Sequence, residues 1–447
     1  MTSVRRFTAL AMARAMMAGP PRVDGLAARL QACLGRKAAW YRPLAERVAL
    51  LPGEHWRAAT PQALNRLADM VEADDSFEAA WLAHERPQVR HYFLELPGGM
   101  QPRPLGLDEL ELPDWPDVPA LSRWLGIPAA GLWRLTLARE RQRRQPLGQQ
   151  HYRSQLLPKR SGGFRLLEVP EPYLMALQRK LLDAVLNRVP PHEAACGYTP
   201  GRSVLDHARA HAGQAVVLKF DLQDFFASVR HSRVHALFAT LGYPAAVARA
   251  LAALCTLATP EPVLRRLHQA GSLSWPQLQC LRDAHLPQGA PTSAALANLC
   301  AFRLDLRLDG LAFALGARYT RYADDLVISG GPELRGLAER VERWVGRIAL
   351  EEGLALNHRK TRCQTAGRRQ SVCSIVVNQR PNLPRDEFDR LKAVLHQCVQ
   401  TGPAAQNREG HADWRGHLQG RVAWAAQLNP AKAERLQGLL AQIDWAR

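Results

Sequence analysis

Apolar and polar positions divide this chain into a helical opening, a mixed middle and a helical close. Residues 1–95 carry Ala, Leu and Arg at helical spacing, and Pro97–Asp117, with Pro102, Pro104, Pro113 and Pro116, reads as an extended linker. Helical periodicity resumes through Leu121, Trp124, Leu125, Leu132 and Leu135 and ends in the basic run Arg139–Arg144. From His151 the period changes. Gln155–Pro158 and Phe164–Val169 predict a hairpin, and Tyr173–Val189 a helix stopped by Pro190-Pro191. Ala215–Leu222 (A-V-V-L-K-F-D-L) has the near-continuous apolar pattern of a buried strand. Leu237–Leu257 predicts a helix, Thr259–His285 an insertion of short helices, and Leu286–Asn298 a turn feeding a helix that runs to about Phe313. Further on, Glu333–Glu352 predicts an amphipathic helix, Val372–Asn378 a strand, and Asp386–Val399, Trp414–Leu428 and Ala431–Ile443 three closing helices.

One stretch breaks a local rule. Tyr319–Tyr322 and Leu326–Ser329 predict short strands around Ala323-Asp324-Asp325, with Gly330-Gly331 closing the unit. Hairpin tips favour Asn-Gly or Gly-X, so adjacent carboxylates at this tip point to function more than to a surface turn. Asp221 ends the buried strand, where a carboxylate is costly unless paired or metal-bound. If the hairpin lies beside that strand, Asp221 and Asp324 share a face. Carboxylates so placed repel unless a cation neutralises them. Oxygen ligands with no His or Cys nearby select Mg²⁺ (or Mn²⁺) over Zn²⁺. Two such ions suit an in-line phosphoryl displacement. A third acid is Asp325 or Asp224, and spacing does not rank them. Gly197–Ser203 (G-Y-T-P-G-R-S) is a turn whose backbone donors and Arg202 suit a phosphate or sugar, or equally a plain tight turn. Arg321 is open between a structural pair and a nucleic-acid contact, and Lys219 is expected to point into solvent.

Charge narrows the partner. A formal net charge of +18 points to a polyanion, nucleic acid before an anionic membrane. Only seven of the 59 basic residues are lysine, so much of the bias reflects genome composition and each lysine is informative. The eight cysteines form no C-x-x-C pair, which argues against structural zinc and a disulfide framework and for a reducing, cytoplasmic setting. Arg14 interrupts the N-terminal apolar run, so no secretory signal is expected, and no apolar run is long enough to predict a membrane span.

Asp221–Phe226, Gln288–Ser293 and Tyr322–Asp325 occur in the order and rough spacing of the palm motifs of reverse transcriptases. More narrowly, L-P-Q-G-A-P-T-S with R-Y-A-D-D-L resembles the retron-type bacterial enzymes, over a span from about Leu121 to the C-terminus. The resemblance implies an α+β right-hand polymerase. Residues 1–115 would be a helical N-terminal extension and linker, 116–150 a helical lead-in, 151–370 fingers and palm with an antiparallel sheet, and 371–447 a helical thumb. It implies that Asp221 and Asp324 hold two Mg²⁺ ions with Asp325 supporting, and that Phe226 excludes a 2′-hydroxyl and so favours dNTPs. Gln288 and Gly289 would lie against the template–nucleotide pair, and Lys159 and Arg165 would grip the triphosphate. Lys360, in L-N-H-R-K-T, would protonate the departing pyrophosphate, a role that suits a titratable amine better than an arginine.

Two retron signatures are altered. The family's N-A-x-x-H aligns with His207–His211, which keeps the Ala and the final His, and its V-T-G aligns with Val372-Cys373-Ser374. Both are linked in the family to recognition of the cognate RNA. The implied activity is RNA-directed DNA synthesis on a structured non-coding RNA, primed from a 2′-hydroxyl. The RNA–DNA product would serve antiphage defence, with an effector protein as a further partner and no membrane involved. The alternatives are a retron-like enzyme of another defence system, a group II intron lineage, and a non-catalytic RNA-binding protein on a polymerase fold.

Overall fold

Two compact units emerge in this computed structural model, Met1–Val189 with Arg230–Thr292, and Pro190–Val229 with Ser293–Arg447. The structure describes residues 4–19, 21–51, 61–83, 86–93, 100–101, 103–104, 106–137, 139–144, 146–158, 164–271 and 273–445. Helices and antiparallel strands are mixed, as the sequence pattern predicts.

The first unit begins with the helices Val4–Met17, Val23–Leu34, Tyr41–Ala49, Pro61–Glu72 and Asp75–Leu82. Their apolar faces close on one another, burying Met12, Met16, Leu26, Leu30, Leu44, Val48 and Phe77 completely. Asp74 takes two hydrogen bonds from the Arg47 guanidinium, at 2.7 and 2.8 Å, and caps the fifth helix by accepting from the Ser76 amide at 2.9 Å. Part of the expected linker over Pro97–Asp117 is packed. Trp115 is buried between Trp124 and Tyr243, with ring centroids 4.6 and 5.1 Å away.

Further along this unit, β1 (Tyr152–Pro158) and β2 (Phe164–Pro170) form the expected hairpin; its turn, which contains Lys159, lies outside the described residues. Glu168 on β2 is buried and accepts from Thr259 Oγ1 at 2.6 Å, while its other oxygen faces His285 Nε2 at 3.0 Å. The Glu168 amide donates to the Gln288 carbonyl at 2.8 Å. Gly289 has φ +132, and a Cβ there would meet the Glu168 carbonyl oxygen at 3.1 Å, so the Gln288-Gly289 segment lies against β2 with no room for a side chain. The helix expected over Leu237–Leu257 is two helices, His231–Thr240 and Ala245–Cys255, divided where Gly242 turns at φ +88.

The second unit is built on a four-stranded sheet in the order β4-β5-β3-β6. Its strands are β3 (Val216–Asp221), β4 (Arg318–Tyr322), β5 (Asp325–Gly330) and β6 (Arg362–Thr365). β3 runs antiparallel to β5 in a register from Val216↔Gly330 to Asp221↔Asp325. The strand core is Val217, Leu218, Phe220, Leu326, Val327 and Ile328, all buried. The helix expected to run to about Phe313 is broken at Ala301 into Ser293–Cys300 and Phe302–Ala314, and Leu334–Glu351 follows the hairpin. The single strand expected over Val372–Asn378 is instead a small hairpin, β7 (Ser371–Val372) and β8 (Ile375–Val376), because Cys373 and Ser374 both turn left-handed, at φ 45 and 68. Arg385–Thr401, Trp414–Leu428 and Pro430–Ala441 close the chain, packing Leu391, Leu395, Leu418, Val422 and Leu436 around Val372, Ile375 and Val377. The eight cysteines are all free, and among the described residues no helix is long and apolar enough to cross a membrane.

Arg321 on β4 resolves to the structural alternative. Its side chain is wholly buried and donates to both oxygens of Asp305, at 2.7 and 2.6 Å, to Asn298 Oδ1 at 2.9 Å and to the Ala323 carbonyl at 3.2 Å. The Tyr319 hydroxyl donates to the same carboxylate at 2.8 Å. Removing one member of a buried, fully bonded ion pair leaves an unpaired charge, at a cost of about 3–5 kcal/mol. Asp305→Asn and Arg321→Met are therefore expected to lower stability by about 3 kcal/mol or more in urea unfolding. Arg321→Lys should fare little better, since an ammonium cannot reproduce the planar fork. Midpoints and slopes matching the parent chain would show that the pair is idle.

Candidate active site

Strand pairing creates the site. Asp221, the last residue of β3, lies opposite Asp325, the first of β5, and the Leu222 amide donates to the Asp324 carbonyl at 2.9 Å. The tip of the β4–β5 hairpin is thereby tied to the end of β3, and all three carboxylates come to one end of the sheet. The tip is strained: Ala323 has φ 54, a conformation that favours glycine. Gly197 lies so close that a Cβ there would be 2.7 Å from the Ala323 amide nitrogen.

Burial raises the Asp324 carboxyl above the ordinary aspartate range, and the charges of Asp325 and Asp221 raise it further. Asp325 faces Asp221 and acts electrostatically on Asp324, while Asp224 turns left-handed at φ 47 to start the short helix Phe225–Ser228. Lys360 reaches the same cluster, its Nζ donating to Asp221 Oδ2 at 2.8 Å. Burial would lower this amine, but the hydrogen bond to Asp221 and the three aspartate charges outweigh it, so the ammonium stays protonated.

Among the described residues no three His, Cys, Asp or Glu side chains converge as a ready-made ligand set, and Asp221 is engaged by the lysine instead. The chemistry of the donors nonetheless fits a hard divalent cation: two further carboxylates crowd Asp324, and a cation would relieve their repulsion. The expectation that no Cys lies nearby is corrected, since Cys373 Sγ is 3.4 Å from Asp325 Oδ2. Burial pushes that thiol up to about 12, so it stays protonated, a weak donor to the carboxylate and no soft ligand.

Aromatic rings stand beside the acids. Phe225 is the core ring, whereas Phe226 is half-buried with its centroid 6.4 Å from that of Tyr198, and Tyr198 is 6.2 Å from Tyr322. Arg165 is exposed on β2, and with Gln288 and Gly289 it belongs to the first unit. Arg202 and Ser374 are exposed in the second unit, and Val372 is buried in its helical core. Lys219 is half-buried and its charge bears on His207 and Cys373, so the expectation that it simply faces solvent is corrected. Sequence reading missed Cys373 and Tyr198 as neighbours of the site. Only the left-handed turns that carry them bring them there, and no spacing rule marks a left-handed cysteine or tyrosine.

His207 and His211, the candidates linked to RNA recognition, are wholly buried. Thr320 Oγ1 sits 2.5 Å from His207 Nδ1 and 2.7 Å from His211 Nε2, and His211 Nδ1 is 2.7 Å from Ser329 Oγ. The pair therefore fastens the helix Val204–Ala210 to β4 and β5. Burial depresses both imidazoles to about 3, so both are neutral in the fold. The unfolded chain gains these two protons near pH 6.5 and the folded chain only near pH 3. Their contribution to stability is thus complete above pH 6.5 and shrinks as pH falls from there. Urea midpoints measured from pH 7.5 to pH 5 should decline, and His207→Gln/His211→Gln should flatten that decline; an unchanged slope would mean that other groups titrate.

Residues 157–393 match the family model described as reverse transcriptase (RNA-dependent DNA polymerase). The chain is 41% identical over 332 residues to the retron Mx65 reverse transcriptase of Myxococcus xanthus, covering 73% of this chain and 71% of that one. It is 36% identical to the retron Mx162 reverse transcriptase of the same organism, over 66% of this chain and 61% of that one. The retron Ec86 reverse transcriptase of Escherichia coli is 30% identical over 52% of this chain and 64% of its own length. Among solved structures, apo telomerase from Candida tropicalis aligns over 52% of this chain and 55% of its own at 13% identity, with a TM-score of 0.35, too loose to carry an argument. Enzymes of this family generally use divalent metal ions. The chain belongs to the reverse transcriptase family, is of the retron type, and is an RNA-directed DNA polymerase.

Proposed function

We propose that this polymerase copies a structured non-coding RNA into DNA at the end of the β3–β5 pair. The observation that carries the reading is the Asp221↔Asp325 register, with Asp324 at the adjoining tip and Lys360 on Asp221. Asp221 and Asp324 would hold two Mg²⁺ ions, with Asp325 supporting. When bound, these ions would stabilise the attacking and leaving oxygens of phosphoryl transfer. Phe226, half-buried beside the carboxylates, would form the wall against which a 2′-hydroxyl clashes. A primer hydroxyl would attack the α-phosphorus of a dNTP and give up its proton to water, the bond to pyrophosphate would break, and the Lys360 ammonium would deliver a proton to the leaving group.

In this reading the β1–β2 hairpin with Lys159 and Arg165 is the fingers element that grips the triphosphate. Gln288 and Gly289 bear on the template–nucleotide pair. The sheet unit is the palm and the last three helices are the thumb. Exposed Arg202 and Ser374 are available to the RNA, while His207, His211, Val372 and Cys373 act by holding the frame. As a retron-type enzyme it would prime from a 2′-hydroxyl of an RNA that stays joined to the product, and would serve antiphage defence through an effector protein. Eight free cysteines fit a reducing, cytoplasmic setting.

On a primed RNA template, dNTP incorporation should require Mg²⁺ and fall at least about a thousandfold in Asp324→Asn/Asp325→Asn, as expected when transition-state charge loses its counter-charge. Activity surviving that double change would remove the metal assignment. Phe226→Ala should admit rNTPs, and unaltered sugar selectivity would return the ring to a packing role. Sequencing the nucleic acid that co-purifies with the chain tests the template: a branched RNA–DNA species is expected, and random cellular RNA would overturn the retron-style priming.

A further inference from the structure

The turn Gly197–Ser203 is held tightly on both sides of one exposed ring. Before it, the Cys196 amide donates to the Arg321 carbonyl at 2.8 Å, and Asn298 Nδ2 donates to the Gly197 carbonyl at 2.7 Å. After it, Thr199 Oγ1 donates to the Ala195 carbonyl at 2.9 Å, and Ser203 and Asp206 cap the next helix reciprocally. Gly197 is pressed against the tip that carries Asp324, with no space for a Cβ. Between these anchors Tyr198 adopts φ 58 and leaves 55% of its surface exposed.

That combination has a cost that packing does not explain. A non-glycine residue held left-handed stores strain that glycine would not, and a large ring left in solvent recovers little of it by burial. The ring stands instead within 6.4 Å of Phe226 and 6.2 Å of Tyr322, centroid to centroid, and Tyr322 is paired in register with Asp325 across β4 and β5. An aromatic face next to charged groups that handle phosphate suits the sugar and base of a nucleotide, which stack on such rings without regard to sequence.

We propose that Tyr198 is a specificity-determining residue of the polymerase, a second wall that, beside Phe226, packs on the sugar and base of the incoming dNTP. The proposal rests on the reading of Asp221, Asp324 and Phe226 as the nucleotide site. Tyr198 holds the nucleotide before the transfer and takes no part in the proton movement, so it acts on nucleotide affinity and sugar choice more than on the chemical step.

The test uses the full-length chain with Tyr198→Phe, Tyr198→Ala and Tyr198→Gly, assayed on primed RNA with single dNTPs and rNTPs. Loss of the ring in the Ala and Gly variants should raise KM for dNTP about tenfold or more, with kcat within about threefold, and should weaken discrimination against rNTPs. Tyr198→Phe should stay near the parent. Tyr198→Gly should melt no lower than the parent despite its weaker nucleotide binding, because it releases backbone strain. An unchanged KM for dNTP in Tyr198→Ala would overturn the proposal. So would a change confined to KM for the primer–template, which would assign the ring to the other strand. Melting-temperature losses that track the activity losses across the three variants would reduce Tyr198 to a structural residue. A parent chain that incorporates no dNTP, or one still active as Asp324→Asn, fails the underlying reading instead, which separates the two failures.

Discussion

The geometry of the second unit hangs on the buried guanidinium of Arg321. A charge with no access to water must be met at every donor, and here Asp305, Asn298 and the Ala323 carbonyl meet it. Each of those contacts fixes a different piece. Asp305 belongs to the helix Phe302–Ala314, Asn298 to the helix Ser293–Cys300, and Ala323 is the left-handed residue of the hairpin tip. The backbone of Arg321 adds a fourth piece, since its amide donates to the Ala194 carbonyl and its carbonyl accepts from Cys196. Asn298 in turn holds the Gly197 carbonyl, so one network sets both the Asp324 tip and the turn bearing Tyr198. Apolar packing could bring these elements together, but only directional bonds fix where a two-residue tip points.

Much of this architecture is legible in the sequence because its signals are local. Uninterrupted apolar residues mark β3, short β-prone runs mark β4 and β5, and Asp221 and Asp324 stand out because a carboxylate at a buried strand end needs a reason. The closing helices are legible from periodicity alone. What stays hidden depends on backbone conformations that residue identity does not announce. Val372–Asn378 has the composition of one strand, yet Cys373 and Ser374 reverse the chain and bring a thiol to Asp325. His207 and His211 stand in the sequence only as part of a signature, and it takes the register of β4 and β5 to show that Thr320 and Ser329 engage them. Arg321 was ambiguous for the same reason: an arginine in an alternating strand gives no sign of a carboxylate waiting on a helix sixteen residues earlier.

Strain and charge crowding occur together in the second unit. All five of the left-handed non-glycine residues among those described, Tyr198, Asp224, Ala323, Cys373 and Ser374, belong to it. Ala323 and Asp224 shape the backbone next to the acids, while Cys373 touches one of them and Tyr198 faces the Tyr322 ring. Left alone, such conformations would relax and such carboxylates would take up protons. The sheet register, the Arg321 network and the two neutral histidines oppose the first tendency, and the Lys360 charge opposes the second. Stability elsewhere in this unit therefore has a direct bearing on chemistry, since it holds in place an arrangement that is locally unfavourable.

The N-terminal helices have a different character. Their buried residues, from Ala9 to Phe77, pack among themselves, and the Arg47–Asp74 pair is internal to the same group. A segment that satisfies its own apolar faces and its own buried charge carries most of its structural constraints with it. A substitution in these helices is therefore felt first within their own core.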